Sequence, residues 1–228
     1  MTDQPDAPTA PQLYLITPVG AEPSAIQPML AEIIERFEVA CIRIPGAGDE
    51  AKLGRMADTV RELAHAHDIA VVIEDHVQLA QQHGLDGVHL LKSGGRHIRQ
   101  ARAVLGPDAI VGAYCNASRH EGMTAAEAGA DYVSFGPVRP TSLGSGEMAE
   151  PELFAWWSEM IEVPVVAEGG LDAGALAGML GGAAGGFDLG KILDVVGGSG
   201  SGSSQGGSGL GGVGGILGKL KGLLGGRR

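Results

Sequence analysis

The stretch VGAYCNASRHEGMTAAEAGADYVSFGPVRP, Val111 to Pro140, followed by VPVVAEGG, Val163 to Gly170, decides the fold of this chain. Its apolar runs are short, each closes on a loop bearing Gly or Pro, and helical stretches separate them. Strand, helix, strand, helix, strand is the grammar of parallel βα units, in which ligand loops gather at the strand C-termini. Gly136-Pro137 ends the second strand and Gly169-Gly170 the third. Glycine there lets backbone N–H groups approach an anion closely, so a phosphate is the first ligand to expect.

Outward from this stretch, strands are expected near 13–18, 39–45, 69–75, 86–91, 109–115, 132–138 and 163–168. They are Val/Ile/Leu runs without polar alternation, as in strands covered on both faces. Helices lie between them, for instance Glu50 to Ala66 and Pro151 to Ile161. In the first, Leu53, Met56, Ala57, Val60, Leu63 and Ala64 recur at three- and four-residue spacing and form one apolar stripe. Seven such units predict an α/β protein, a (β/α)8 TIM barrel whose eighth unit is degraded or replaced by a Gly-rich tail.

The tail begins where composition changes, and 21 of the 39 glycines lie from Gly178 onward. FDLGKILDVV, Phe187 to Val196, is either the eighth strand or a short helix beside an open edge. GGSGSGSSQGGSG, Gly197 to Gly209, has the composition of a flexible linker. Beyond it, Leu210, Val213, Leu217, Leu220 and Leu224 recur at helical spacing beside Lys219, Lys221, Arg227 and Arg228. A cationic amphipathic segment of this kind lies on a membrane surface or covers a barrel edge. Its glycines cost about 1 kcal/mol each relative to alanine in a helix, so a solvated tail without membrane contact is the expectation. The domain reading is a disordered leader over 1–11, a barrel over 12–196, and linker plus tail over 197–228.

A chain of 228 residues with 44% hydrophobic content can bury one barrel core. Aromatics make up only 4%, so that core must be aliphatic. The net charge is −11, and the barrel segment carries the acidic excess while the tail is basic. An acidic barrel excludes a nucleic-acid partner, which would need a basic face. Cys41 and Cys115 both fall inside apolar strand runs, which predicts buried free thiols in a reducing compartment. The N-terminus is polar, acidic and proline-rich, unlike a secretory leader. No apolar run reaches about 18 residues, so a cytoplasmic location is expected.

The same residues resemble the thiamine-phosphate synthase and thiazole tautomerase superfamily. GADYVSFGPVRPT, Gly129 to Thr141, is similar to its GADY-hydrophobic-GP-x-x-PT segment, and VPVVAEGGL, Val163 to Leu171, to its IPVVAIGGI. LYLITP (Leu13 to Pro18), IAVVIEDHVQLA (Ile69 to Ala80) and DGVHLL (Asp86 to Leu91) fit its first, third and fourth strands, and the likeness holds in register over 12–177. It implies a small phosphorylated ligand, a magnesium ion, and the coupling of a pyrimidine methyl diphosphate to a thiazole phosphate. Carried over residue by residue, Gly169, Gly170 and Thr141 would hold the thiazole phosphate. Arg43 would serve the diphosphate and Asp75 the magnesium, the two catalytic candidates. Asn116 stands where the tautomerase branch has its acid–base histidine, and is a candidate ligand contact.

The departures from that pattern matter as much. Where the family reads Q-x-R-E-K, this chain has Cys41, Arg43, Ile44 and Pro45. Its second metal-binding acid is missing, because HLGQ-x-D becomes His89-Leu90-Leu91-Lys92-Ser93-Gly94. Gly144 replaces a lysine, Tyr114 a phosphate-contacting serine, and Glu168 an apolar residue beside the glycine pair. Plainer roles are open for each candidate: a tight turn at Gly169-Gly170, a helix cap for Asp75, and a carboxylate partner for Arg43 in Glu74, Asp75 or Glu168. His89 is expected to make a structural hydrogen bond and His120 to face solvent. A departing diphosphate needs cations and magnesium, of which the chain retains Arg43 and Asp75. The sequence therefore predicts a member of this family with weak or lost activity in thiamine biosynthesis, or a repurposed, non-catalytic barrel that binds a phosphorylated ligand.

Overall fold

The computed structural model describes residues 12–141 and 143–171, together with the backbone of Gly215–Gly218. Elements alternate as the sequence requires: β1 (Gln12–Ile16), α1 (Pro23–Arg36), β2 (Val39–Ile44), α2 (Glu50–His65), β3 (Ala70–Glu74), α3 (Val77–Gln82) and β4 (Gly87–Leu90). There follow α4 (Gly95–Leu105), β5 (Ile110–Tyr114), α5 (Arg119–Glu127), β6 (Tyr132–Phe135), α6 (Pro151–Met160), β7 (Val165–Ala167) and β8 (Gly215–Gly218). Strands β1 to β7 pair in chain order and in parallel. β8 runs antiparallel to both β7 and β1 and closes the barrel.

Local chemistry sets the helices. Asp49 caps α2 by accepting from the Lys52 N–H at 2.9 Å, and the buried stripe Leu53, Met56, Ala57, Val60 and Ala64 then faces the sheet. Ser118 caps α5 through the Glu121 N–H. Trp157 of α6 is fully buried against Phe135 and donates its ring N–H to the Val163 carbonyl at 2.7 Å. Its neighbour Trp156 is half-buried beneath the Arg119 guanidinium, so the pair divides as its place on an outer helix suggests. At the strand N-termini, Asp86 and Asp131 each stand one residue before a strand. Each accepts the N–H of a residue on the preceding strand at 2.7 Å, Val71 and Val111 respectively.

Along most of the strands β1 to β7, side chains alternate between two cores. Ile42, Ile44, Val71, Ile73, Val88, Leu90, Val111, Val133 and Phe135 join the layer between sheet and helices. Tyr14, Cys41, Ala70, Val72, Tyr132 and Val166 form a smaller cluster inside the barrel. Gly112 makes room for this inner layer, because a Cβ there would lie 2.0 Å from the Tyr132 ring. The inner face is not purely apolar, contrary to the reading of strands free of polar alternation. Arg43, His89 and Ser134 occupy inward positions and are buried.

The Gly-rich tail thus supplies the last strand, Gly215–Gly218, and not as a parallel βα unit; the sequence-based candidate for that strand is Phe187 to Val196. That candidate segment, the leader over 1–11 and the linker over 197–209 lie outside the described residues. Removing residues 210–228 takes away β8 and leaves β1 and β7 as open edges. The melting temperature of the truncated chain is expected to fall by about 5 °C or more, given ~1 kcal/mol per 2–4 °C at this size. An unchanged melting temperature would show that the tail contributes nothing to the barrel.

Candidate active site at the barrel mouth

Beneath the mouth lies a buried polar network centred on Arg43, the fifth residue of β2. Its side chain points inward and is 3% exposed. Nη2 stands 2.5 Å from Glu168 Oε2, and Nε stands 3.1 Å from Glu74 Oε1. Glu168 follows β7 and is itself 2% exposed, and its other oxygen accepts from Ser134 Oγ at 2.6 Å. Glu74 accepts from the Gly46 N–H at 3.1 Å. On the far side, His89 Nδ1 bonds the Tyr132 hydroxyl at 2.9 Å, which meets the Tyr14 hydroxyl at 2.7 Å. His89 Nε2 faces Glu168 Oε1 at 4.0 Å without a hydrogen bond, and Arg43 Nη1 also lacks a hydrogen-bond partner.

Electrostatics follow from this burial. Desolvation works against the Arg43 charge, but Glu168 and Glu74 outweigh it and hold the guanidinium protonated. Burial, and then Arg43, pushes the His89 pKa well below its ordinary value, so the ring is neutral. Burial raises the Glu74 pKa, opposed by Arg43. Burial also pushes up the Cys41 and Cys115 thiols, which makes them inert rather than nucleophilic. One cation thus faces two carboxylates, and Arg43 has no charge to spare.

The remaining candidates stand above this layer at strand C-termini. Gly169 and Gly170 both have positive φ, 81° and 78°. A Cβ on Gly169 would meet the Pro137 backbone at 2.9 Å, and one on Gly170 the Arg139 Cβ at 2.7 Å. The turn is therefore pressed against the loop after β6, and the Gly169 carbonyl accepts from the Val138 N–H at 2.9 Å. Thr141 lies in that loop, exposed, with its methyl 3.2 Å from the same Gly170 Cβ position. Asn116 has φ 50°, accepts from the Gly136 N–H through its carbonyl, and donates to Glu121 Oε2 at 3.1 Å. Asn116, Thr141, Gly169 and Gly170 thus gather along the β5–β7 side of the mouth.

Asp75 sits on the β3–β4 side, exposed, with φ 54°. Its Oδ1 accepts from the Leu91 N–H at 3.0 Å, so it ties down the loop after β4 rather than capping α3. His120 is exposed, and His89 makes a structural hydrogen bond. At Gly144, a Cβ would fall 2.3 Å from the Tyr114 hydroxyl and 2.5 Å from Asn116 Oδ1. A lysine at that position needs the loop to move.

Glu74 and Glu168 as partners of Arg43 and the structural hydrogen bond of His89 were anticipated, whereas the inward Ser134, Tyr132 and Tyr14 that complete the layer were missed. The signal was present as polar residues two apart from inward apolar ones, for instance Cys41 and Arg43, or Tyr132 and Ser134. Among the described residues no group of three or more His, Cys, Asp and Glu is placed to hold a metal ion.

His89 gives the network a pH signature. Its folded pKa is depressed, so the unfolded chain takes up a proton first as pH falls below about 6.5, and stability drops there. Glu74 has the opposite sign, because its raised pKa favours the fold at low pH and that contribution is lost as pH rises through the raised value. The melting temperature of the protein is expected to decline between about pH 7 and pH 5.5, and His89→Asn to flatten that decline. An equal slope in the variant would place the acid sensitivity elsewhere.

A family model described as thiamine monophosphate synthase matches residues 13–187. A thiamine-phosphate synthase of Rhodospirillum centenum is 45% identical over 163 residues, 70% of this chain and 78% of the relative. One from Erythrobacter litoralis is 38% identical over 169 residues, again 70% of this chain and 77% of the relative. Among solved structures, a thiamine phosphate pyrophosphorylase from Pyrococcus furiosus superposes with a TM-score of 0.63. It is 23% identical, covers 81% of this chain and 93% of its own, and so supports the barrel fold.

Proposed function

The chain belongs to the thiamine monophosphate synthase family, and we propose that its mouth binds the thiazole phosphate while coupling to the pyrimidine methyl diphosphate is slow or lost. The observation that carries this reading is the clamp on Arg43, whose charge is already met by Glu168 and Glu74. On the other side of the mouth, the Gly169-Gly170 turn and Thr141 offer backbone N–H groups and a hydroxyl to one phosphate. A ligand held there would face the barrel axis from the β6–β7 side.

Synthase chemistry breaks the bond between the pyrimidine methylene and the diphosphate, and cations stabilise the leaving pyrophosphate as charge gathers on it. Magnesium supplies part of that stabilisation in such a reaction. Here the donor set fits it badly, because Asp75 has one oxygen engaged by Leu91 and Lys92 to Gly94 offer no second acid. Pro45 and Gly144 stand where lysines are expected. One preorganised donor is worth about 2–4 kcal/mol, so two missing ones remove ~10³–10⁶-fold in rate. The same features suit a non-catalytic barrel that holds a phosphorylated ligand, and turnover separates the two. The cytoplasm, with its reducing conditions, suits the two buried free thiols. Among the described residues, no helix is long and apolar enough to cross a membrane.

With both substrates and magnesium, no measurable thiamine phosphate is expected from the full chain. Calorimetry is expected to show binding of thiazole phosphate and much weaker binding of inorganic pyrophosphate. Turnover at an ordinary enzymatic rate would overturn the reading and show that Arg43 remains available to the diphosphate.

A further inference from the structure

Glu168 is the one residue of the glycine-pair turn whose side chain runs down into the barrel, and its contacts have the form of a ligand's. A carboxylate with both oxygens held by a guanidinium and a hydroxyl is bound as a phosphate oxygen pair would be. Arg43 Nη2 takes one oxygen at 2.5 Å and Ser134 Oγ the other at 2.6 Å. Arg43 Nη1, fully buried, is left without an acceptor. The backbone on either side of that carboxylate belongs to the mouth, since the Glu168 carbonyl accepts from the Val138 N–H, one residue past Pro137. Glu168 therefore connects the glycine-pair turn directly to Arg43, the buried cation beneath it among the described residues.

We infer that Glu168 is a built-in anion that determines specificity: it occupies Arg43 in place of a diphosphate and restricts the mouth to ligands bearing a single phosphate. This rests on the phosphate reading given above and adds the residue that sets the limit. A diphosphate brought to Arg43 would have to displace a carboxylate covalently fixed at the site. It would also meet Glu74, the second carboxylate on the same guanidinium. A monoester held at Gly169 and Gly170 needs neither contact. Glu168 here is a specificity residue and touches no reacting atom.

The test uses the full chain, with Glu168→Gln, Glu168→Ile and the double variant Arg43→Gln/Glu168→Gln. The probes are inorganic pyrophosphate and thiazole phosphate, read by calorimetry and by ligand-induced shifts in melting temperature. Glu168→Gln is expected to bind pyrophosphate about 10- to 100-fold more tightly than the wild type, the scale of one charge-assisted hydrogen bond. The double variant is expected to lose that gain, which assigns it to Arg43 rather than to a general fall in negative charge. Thiazole phosphate affinity should stay within a few-fold throughout. If thiazole phosphate binds but pyrophosphate affinity is unchanged in folded Glu168→Gln and Glu168→Ile, the inference is overturned and the monoester site stands. If thiazole phosphate binds none of the proteins, the monoester site is lost, and the pyrophosphate gain alone decides the role of Glu168. Where a single variant does not fold, because Arg43 is left unpaired, millimolar pyrophosphate is expected to restore its fold by mass action. Failure to do so, in the presence of a folded double variant, equally overturns it.

Discussion

The ion pair between Arg43 and Glu168 shapes both the mouth of this barrel and the layer beneath it. Each side chain is almost wholly removed from water, and neither charge would be tolerated there alone. A buried pair of this kind is worth little to net stability, yet removal of one partner costs about 3–5 kcal/mol. The contact crosses the barrel from β2 to the residue after β7, strands that are not neighbours. It therefore holds the Gly169-Gly170 turn at a defined height over the inner layer. Ser134 from β6 donates to the second Glu168 oxygen and Glu74 from β3 lies beside Arg43 Nε, while Arg43 Nη1 keeps no acceptor. The mouth and the interior thus share one set of polar contacts.

That sharing explains why the barrel interior is polar without being open. Tyr14, Tyr132 and His89 continue the network downward as neutral groups, kept uncharged by burial. Small residues at the inward positions of β3 and β5, Ala70 and Gly112, give these rings their space. A chain with few aromatics places two of its three tyrosines in this one layer. Their hydroxyls would be costly inside a barrel unless paired, and they pair with each other and with His89. Tyr132 thus links Tyr14 to His89, whose Nε2 is left without a hydrogen-bond partner.

The outer architecture was legible in the sequence because it rests on local signals. Apolar runs of strand length, the α2 stripe and its Asp49 cap are local patterns, and each element appears where they place it. The Gly169-Gly170 turn was legible for the same reason, since consecutive glycines after a strand announce positive φ. What was not legible depends on register across the barrel. Nothing local says that Arg43 faces Glu168, 125 residues away, although a short list of acids including Glu168 could be drawn up from the likely mouth positions. Asp75 shows the reverse error, since a carboxylate at a strand end suggests a helix cap, and the structure uses it to hold the Leu91 N–H across the next loop. The eighth strand was hidden by composition. Gly215–Gly218 lies in a run where glycine abundance argues for solvated chain, and only the unpaired edges of β1 and β7 give it a place.

The substitutions at the mouth form a set rather than a scatter of losses. Once a carboxylate stands at 168, a lysine at the end of β2 would compete with Arg43 for it, and an apolar Ile44-Pro45 ending removes that conflict. Gly144 allows its loop to lie directly on Tyr114 and Asn116, within distances that exclude any side chain. Tyr114 in turn donates to the Gly136 carbonyl at 2.7 Å, which braces the same loop that carries Thr141. The replaced positions Gly144 and Tyr114 make contacts between loops on the β5–β7 side of the mouth. Around the Gly169-Gly170 turn, Glu168 meets Arg43 and Ser134 while Tyr114 meets the Gly136 carbonyl, an arrangement that accords with the proposal of a smaller anionic ligand.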